Sequence, residues 1–175
     1  MYKRQAWTLH LCNWAFRDPS HSGEYSAEEL TPERLRVAHQ WLTPPADGDL
    51  ERFSLAFVLM EARAGEAVDA AAAAVSAAEE RDPHRLAEHL ERLAASMREA
   101  SREFVVAMRE DLVASRRWLE LVQPTMAWAL SRNGEESLPG PNGLQLPSWQ
   151  ICDTVLGIPR PVSYTHLTLP TTPYV

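Results

Sequence analysis

The chain has 175 residues, 45% hydrophobic and 23% charged, with a formal net charge of −7, which suits one globular domain or part of one. The acidic balance argues against a nucleic-acid surface, because phosphate binding needs clustered Lys and Arg. No apolar run reaches the roughly 20 residues that span a bilayer, so no membrane segment is expected.

Both ends read as foreign to the rest. Met1-Tyr2-Lys3-Arg4-Gln5 back-translates as GTG-TAT-AAG-AGA-CAG, with GTG serving as an alternative start codon. The reverse complement of that string, read two bases along, yields Val162-Ser163-Tyr164-Thr165-His166. One inverted DNA element at both termini resembles a transposon-derived sequencing adapter, and Leu167 to Thr172 continues it as read-through. Residues 1–5 and 162–175 are therefore expected to be artefactual, the tail disordered, and residues 6–161 carry the fold.

Nearly everything before residue 131 reads as helix. Ala6 to Phe16 is short, aromatic and apolar, and stops at Arg17-Asp18-Pro19, since proline disfavours helix in the residue before it. A polar loop follows, and then two start signals: Ser26-x-x-Glu29 as a capping box, and Thr31-Pro32-Glu33 as an N-cap with proline at the first helical position. A turn over residues 44–49 precedes a helix that carries Phe53, Phe57, Met60 and Glu61 on one side. Gly65 ends or kinks it before the alanine-rich run Ala67 to Ala78, in which Val68 and Val75 keep a heptad-like stripe.

Asp82-Pro83 starts the clearest amphipathic helix, with Leu86, Leu90, Leu93, Met97, Phe104, Met108 and Leu112 at helical spacing. Trp118, Leu121, Val122, Met126 and Trp128 continue the pattern, with a kink at Pro124. Residues 131–139 form a loop, and a last helix starts at Leu146 or Pro147 and reaches Gly157. No alternating stretch long enough for a strand is present, so the fold class is all-α. Cys12 and Cys152 sit in apolar segments and read as buried free thiols of a reducing, cytoplasmic compartment rather than a disulfide framework.

The usual catalytic motifs are missing: no GxSxG, HExxH, GxxxxGK[ST] or cysteine–histidine metal spacing occurs. His84 and His89, five apart among charged residues, read as a solvated helix face, His21 as a loop residue and His39 as a helix-surface residue. His10, between Leu9 and Leu11, is either a satisfied core histidine or a functional one.

Several landmarks recur in a fixed order: Asn13-Trp14, Asp18-Pro19, the Gly48-Asp49 turn feeding an aromatic helix with Glu61, the small-residue helix, Arg81-Asp82, and the long Leu helix. The block Gly140 to Ile158, GPNGLQLPSWQICDTVLGI, closes the series with Gln145, Gln150 and Asp153. In this order the chain resembles the indoleamine/tryptophan 2,3-dioxygenase superfamily of haem enzymes. The resemblance implies the large helical haem-binding domain of an indoleamine 2,3-dioxygenase-like fold. It also implies haem b (iron protoporphyrin IX) in the intact protein, and an indole plus dioxygen as small-molecule partners, converted to an N-formylkynurenine-type product in tryptophan catabolism. A monomer is the favoured state.

By the same resemblance, Leu9, His10, Phe53 and Phe57 wall the distal side of the haem. The loop containing Gly140, Asn142, Gly143 and Gln145 lies against propionate and substrate, its glycines allowing close backbone approach; read without the family, Pro141-Asn142-Gly143 is a plain turn. Gln123 stands where the family commonly has the arginine that pairs bidentately with the amino-acid carboxylate. Arg116 lies seven residues earlier, about 10 Å away along a helix, too far to replace it. The proximal iron ligand of the family falls C-terminal to the Leu156-Gly157-Ile158 block, so residues 6–161 are expected to be a distal-side piece, inactive alone, with no metal ligand and no catalytic acid–base pair. Two other readings stay open: a divergent haem enzyme acting on a modified tryptophan, like the pyrrolnitrin-pathway enzyme, and a non-catalytic helical ligand-binding or interaction domain.

Overall fold

A computed structural model describes residues 11–21, 23–109, 111–126 and 146–158. Among the described residues the architecture is all-α apart from one short hairpin. Strand β1 (Trp14–Phe16) pairs antiparallel with β2 (Leu35–Val37), Trp14 opposite Val37 and Phe16 opposite Leu35. Helices α1 (Asp47–Arg63), α2 (Gly65–Glu79) and α3 (Pro83–Ala107) follow. Next come a short α4 (Ser115–Arg117), a π turn (Trp118–Val122), α5 (Gln123–Met126) and finally α6 (Pro147–Val155).

The hairpin corrects two helix expectations. The first predicted helix gives way to β1 in its last three residues, residues 6–10 lying outside those described. The helix predicted from Thr31 gives way to a turn and β2. Asn13 supplies the reason: its buried side chain donates to the His39 carbonyl at 3.0 Å and accepts the His39 N–H at 2.8 Å, which locks the register of the pair. In β2, Leu35 and Val37 are buried and Arg36 is exposed, an alternation three residues long. Asp18 accepts from the Ser20 N–H at 2.9 Å and the Ser20 hydroxyl at 2.7 Å, turning the chain after β1. Ser26 N–H donates to Glu29 Oε2 at 2.9 Å, so that capping signal holds for a one-turn 3-10 helix, Ala27–Glu29.

The centre of the fold is α1, in which every residue from Ser54 to Met60 is buried. A helix covered on all faces must be apolar all round. One face packs Leu55, Val58 and Leu59 against Trp14, Phe16 and Leu35 of the hairpin. The other packs Phe57 and Met60 against Ala100 of α3 and Leu146 just before α6. Glu51 ties the first face down by accepting the Val37 N–H at 3.1 Å and pairing with Arg17.

Helix α2 buries five of its alanines (Ala67, Ala70, Ala71, Ala74 and Ala77) and exposes Val68 and Val75. The expected valine stripe is thus reversed. Small side chains let α3 and α6 come close, with Leu93 and Cys152 filling the seam, whereas the stiff valines are accommodated at the surface. Arg81 takes φ +57 after α2, where its N–H and that of Asp82 return to the carbonyls of Ala78 and Ala77. This Schellman closure is immediately followed by Asp82 capping α3 through the N–H groups of His84 and Arg85, each at 3.1 Å. The predicted Leu stripe holds through Phe104, but α3 ends at Ala107, so Leu112 belongs to the following turn.

Candidate functional site

Four aromatic rings from three elements converge on one face of α1. Phe53 and Phe57 lie one helical turn apart, their centroids 4.8 Å apart and nearly perpendicular. Phe104 from α3 meets Phe57 at 5.0 Å and Phe53 at 6.4 Å. Trp118, opening the π turn, lies 4.3 Å from Phe53. The edge-to-face packing of Phe53 with Phe57 and Phe104 matches the positive ring edge to the negative ring face, while the other two pairs are tilted. Phe57 is buried, while Phe53, Phe104 and Trp118 each keep part of their surface accessible. Sequence reasoning marked Phe53 and Phe57 for the site and treated Phe104 and Trp118 as stripe residues only. The signal that could have joined them is that all four interrupt aliphatic stripes with an aromatic ring.

The segment bearing Trp118 is clamped to the start of α1 by an ion pair between the buried Asp49 and the partly exposed Arg117. Arg117 Nη2 donates to Asp49 Oδ1 at 2.8 Å and its Nε donates to Oδ2, a bidentate arrangement that also raises the guanidinium pKa. Asp49 is in the first turn of α1, where a carboxylate is favoured by the unpaired N–H groups. The π turn then accommodates Pro124: the Gln123 N–H reaches back five residues to the Trp118 carbonyl, and the wide turn absorbs the proline. Gln123 itself is solvent-exposed, as is Arg116, which pairs with Glu120 on its own helix. Each arginine of this segment is therefore already committed to a carboxylate.

The C-terminal block is held by Glu61, at the far end of α1. Its carboxylate accepts the Ser148 N–H at 3.2 Å and the Ser148 hydroxyl, capping the first turn of α6. Burial pushes the Glu61 pKa up, against the opposing pull of the two Ser148 hydrogen bonds. Leu146, two residues before Ser148, is 1% exposed and packs on Phe57, so the cap and the aromatic face are joined through one buried leucine. Helix α6 closes as predicted at Gly157, φ +64, with the Ile158 N–H on the Asp153 carbonyl at 2.9 Å.

The remaining predicted site residues, Leu9, His10, Gly140, Asn142, Gly143 and Gln145, lie outside the described residues. Cys152 is buried as expected, but Cys12 is exposed, because the strand that follows turns it away from the hairpin core. His39 lies beyond β2 rather than on a helix, and His21 stacks on Phe16 at 3.9 Å. His84 is exposed and His89 half-buried on α3. None of these four imidazoles joins the aromatic cluster, and among the described residues no group of three His, Cys, Asp or Glu could hold a metal ion. The partly accessible rings of Phe53, Phe104 and Trp118 offer an apolar surface of the kind a flat aromatic group packs against, and none of the four described imidazoles lies in the cluster they form with Phe57.

An all-α domain with an aromatic face on its central helix, clamped by the Asp49–Arg117 pair, is the class that the fold defines. The chain belongs to the indoleamine 2,3-dioxygenase family, whose family model matches residues 7–115. No curated relative matches the chain. The matched range contains the hairpin, α1, α2, α3, Phe53, Phe57 and Phe104, and it ends just before the Arg117 clamp.

Proposed function

We propose that this chain forms the distal wall of a haem-dependent dioxygenase that opens the indole ring of L-tryptophan or a related indole to an N-formylkynurenine-type product. The observation that carries this reading is the aromatic cluster of Phe53, Phe57, Phe104 and Trp118 within a chain of this family. When bound, haem supplies the activation of dioxygen. The side chains of this chain do the rest: the rings exclude water and orient a flat aromatic against them, Arg117 holds the segment that carries Trp118, and Glu61 holds α6 beside the cluster. The iron ligand, in this reading, comes from outside residues 11–126 and 146–158, since the described imidazoles lie off the aromatic face. Leu9, His10 and the loop of Gly140, Asn142, Gly143 and Gln145 would complete the pocket.

The test is a turnover assay on protein expressed from the uninterrupted reading frame, with hemin, reductant, air and L-tryptophan. Formation of N-formylkynurenine is expected, with kcat/KM at least about tenfold lower for Phe57→Ala. No cleavage of any indole would sink the proposal. The 175-residue chain alone should show no histidine-ligated Soret band with equimolar hemin. Such a band, abolished by His10→Ala, would contradict the placement of the ligand.

The state of Gln123 favours a second reading, a substrate other than free tryptophan. Gln123 is neutral and exposed, while Arg116 and Arg117 are paired to Glu120 and Asp49. That leaves this segment no cation for an amino-acid carboxylate, which suits a modified indole. Gln123→Arg in the complete protein should raise kcat/KM for L-tryptophan; no change would count against this position as the carboxylate site.

A further inference from the structure

A cluster of ionisable side chains closes the loop between β1 and β2, in the hairpin that packs on the face of α1 away from the aromatic rings. His21 follows β1, Glu29 ends the 3-10 turn and Arg34 stands just before β2. The imidazole packs on Phe16 with centroids 3.9 Å apart, and the Arg34 guanidinium lies over the same ring at 5.7 Å. Arg34 reaches Oε1 of Glu29 from Nη1 at 3.4 Å and from Nη2 at 3.5 Å. Its Nη2 also lies 3.4 Å from Nδ1 of His21. Nε2 of His21 is 4.0 Å from the same Oε1, buried, and without a hydrogen-bond partner among the described residues.

These distances select one form of the ring. A guanidinium only donates, so Nδ1 accepts and the neutral imidazole carries its hydrogen on Nε2. That N–H faces Glu29 across a gap too long for a hydrogen bond, and a buried donor left unpaired is costly. A second proton reverses both relations: Nδ1–H and Nη2 become two cationic donors face to face, while the imidazolium attracts the carboxylate. Glu29 is ready to respond. The Ser26 N–H first, then Arg34 and His21, hold its carboxyl below the ordinary glutamate value, so it stays ionised while an imidazole gains a proton. The other carboxylate near the ring, Asp18, already accepts the Ser20 N–H and hydroxyl, and it meets His21 through its backbone carbonyl at 3.2 Å.

We propose that His21 is a proton-operated clasp: when its ring takes up a proton, Oε1 of Glu29 passes from Arg34 to Nε2 of His21, and the Arg34 side chain turns into solvent. Oε2 of Glu29 stays on the Ser26 N–H at 2.9 Å, so the 3-10 turn keeps its cap. The strands stay paired, because the Arg34 backbone is held independently of its side chain. Its carbonyl accepts the Arg17 N–H at 2.7 Å and its N–H donates to the Thr31 carbonyl at 3.1 Å. The exchange therefore unlocks the loop over Phe16 without unfolding the hairpin.

An NMR titration of the carbon- and nitrogen-labelled chain, from about pH 8 to about pH 5.5, tests this. The Nε–Hε signal of Arg34 and the side-chain carboxyl carbon of Glu29 are expected to move with the His21 ring, their midpoints agreeing within about 0.3 pH unit. Arg85, paired with Glu80, should stay flat. In His21→Phe, which keeps a ring against Phe16 but takes up no proton, the Arg34 and Glu29 signals should be flat over the same range. An Arg34 signal that stays still while His21 titrates would overturn the inference. So would the same movement in His21→Phe. The wild-type titration decides by itself if that variant folds poorly. Since it needs neither haem nor turnover, its failure leaves the dioxygenase reading untouched, and the reverse also holds.

Discussion

Helices α1 and α2 are separated by the single residue Ala64, yet they meet the core in opposite ways. The first buries large side chains all round and gathers aromatic rings on one face. The second buries only alanines on its inner side and leaves its two valines in solvent. A phenylalanine brings 150–250 Å² of surface that a flat ligand could share. An alanine brings almost none, but allows backbones to approach. The contrast separates a helix that can build a binding face from one that serves as framework.

The strongest way to break this comparison is Phe57→Ala. Truncating a buried ring should cost about 3–5 kcal/mol in urea unfolding, because Ala100, Leu146 and Phe104 cannot collapse into the space. A loss below about 1 kcal/mol would mean that α1 is not packed as described.

On α2 the sharper experiment runs in the other direction. Ala71→Leu, at a fully buried position, should cost about 1–3 kcal/mol by overpacking the seam with α3. Its control, Val75→Ala at an exposed position, should stay within about 0.5 kcal/mol. Equal effects would restore the valine stripe and remove the contrast.

A smaller effect is expected where α1 caps α6. Glu61 has its pKa raised by burial, so between the ordinary glutamate value and the raised one the folded state binds more protons than the unfolded chain. Stability should therefore decline as pH rises through that window, and Glu61→Gln should remove this part of the slope. Thermal melts across mildly acidic pH measure it. A slope that persists unchanged in the variant would assign the dependence elsewhere.

The smallest effect concerns the end of α2. Arg81 occupies a left-handed conformation that glycine adopts without strain. Arg81→Gly should raise stability by roughly 0.5 kcal/mol, the relief of strain being partly offset by the greater freedom of glycine when unfolded. A lower Tm would show that the arginine side chain contributes more than its backbone costs.

Much of the helical framework was legible in the residue pattern. The Asp82-Pro83 cap, the stripe of α3, the break near Gly65 and the Gly157 terminus each rest on local chemistry that acts within a few residues. The hairpin was not legible: Leu35-Arg36-Val37 alternates over only three positions, and Asn13 finds His39 across 26 residues. Cys12 and the two valines were misjudged for the same reason, since an apolar residue does not announce which neighbour it will meet. Of the candidate site, Phe53 and Phe57 followed from the family resemblance, while Phe104 and Trp118 needed three elements to be brought together. Leu9, His10 and the loop of Gly140, Asn142, Gly143 and Gln145 lie outside the described residues.

By itself the sequence determined the start of the long helix at Asp82-Pro83 and the break near Gly65, because caps, proline and glycine act over one turn. It also determined the all-α class, because apolar spacing near 3.6 residues selects helix over most of the chain, although the short hairpin escaped that signal. Tertiary structure alone decided that Asp49 faces Arg117, that Glu61 caps α6, and that four rings share one face. Those contacts depend on how whole helices cross, and a crossing is set by the summed shapes of many side chains rather than by any one of them.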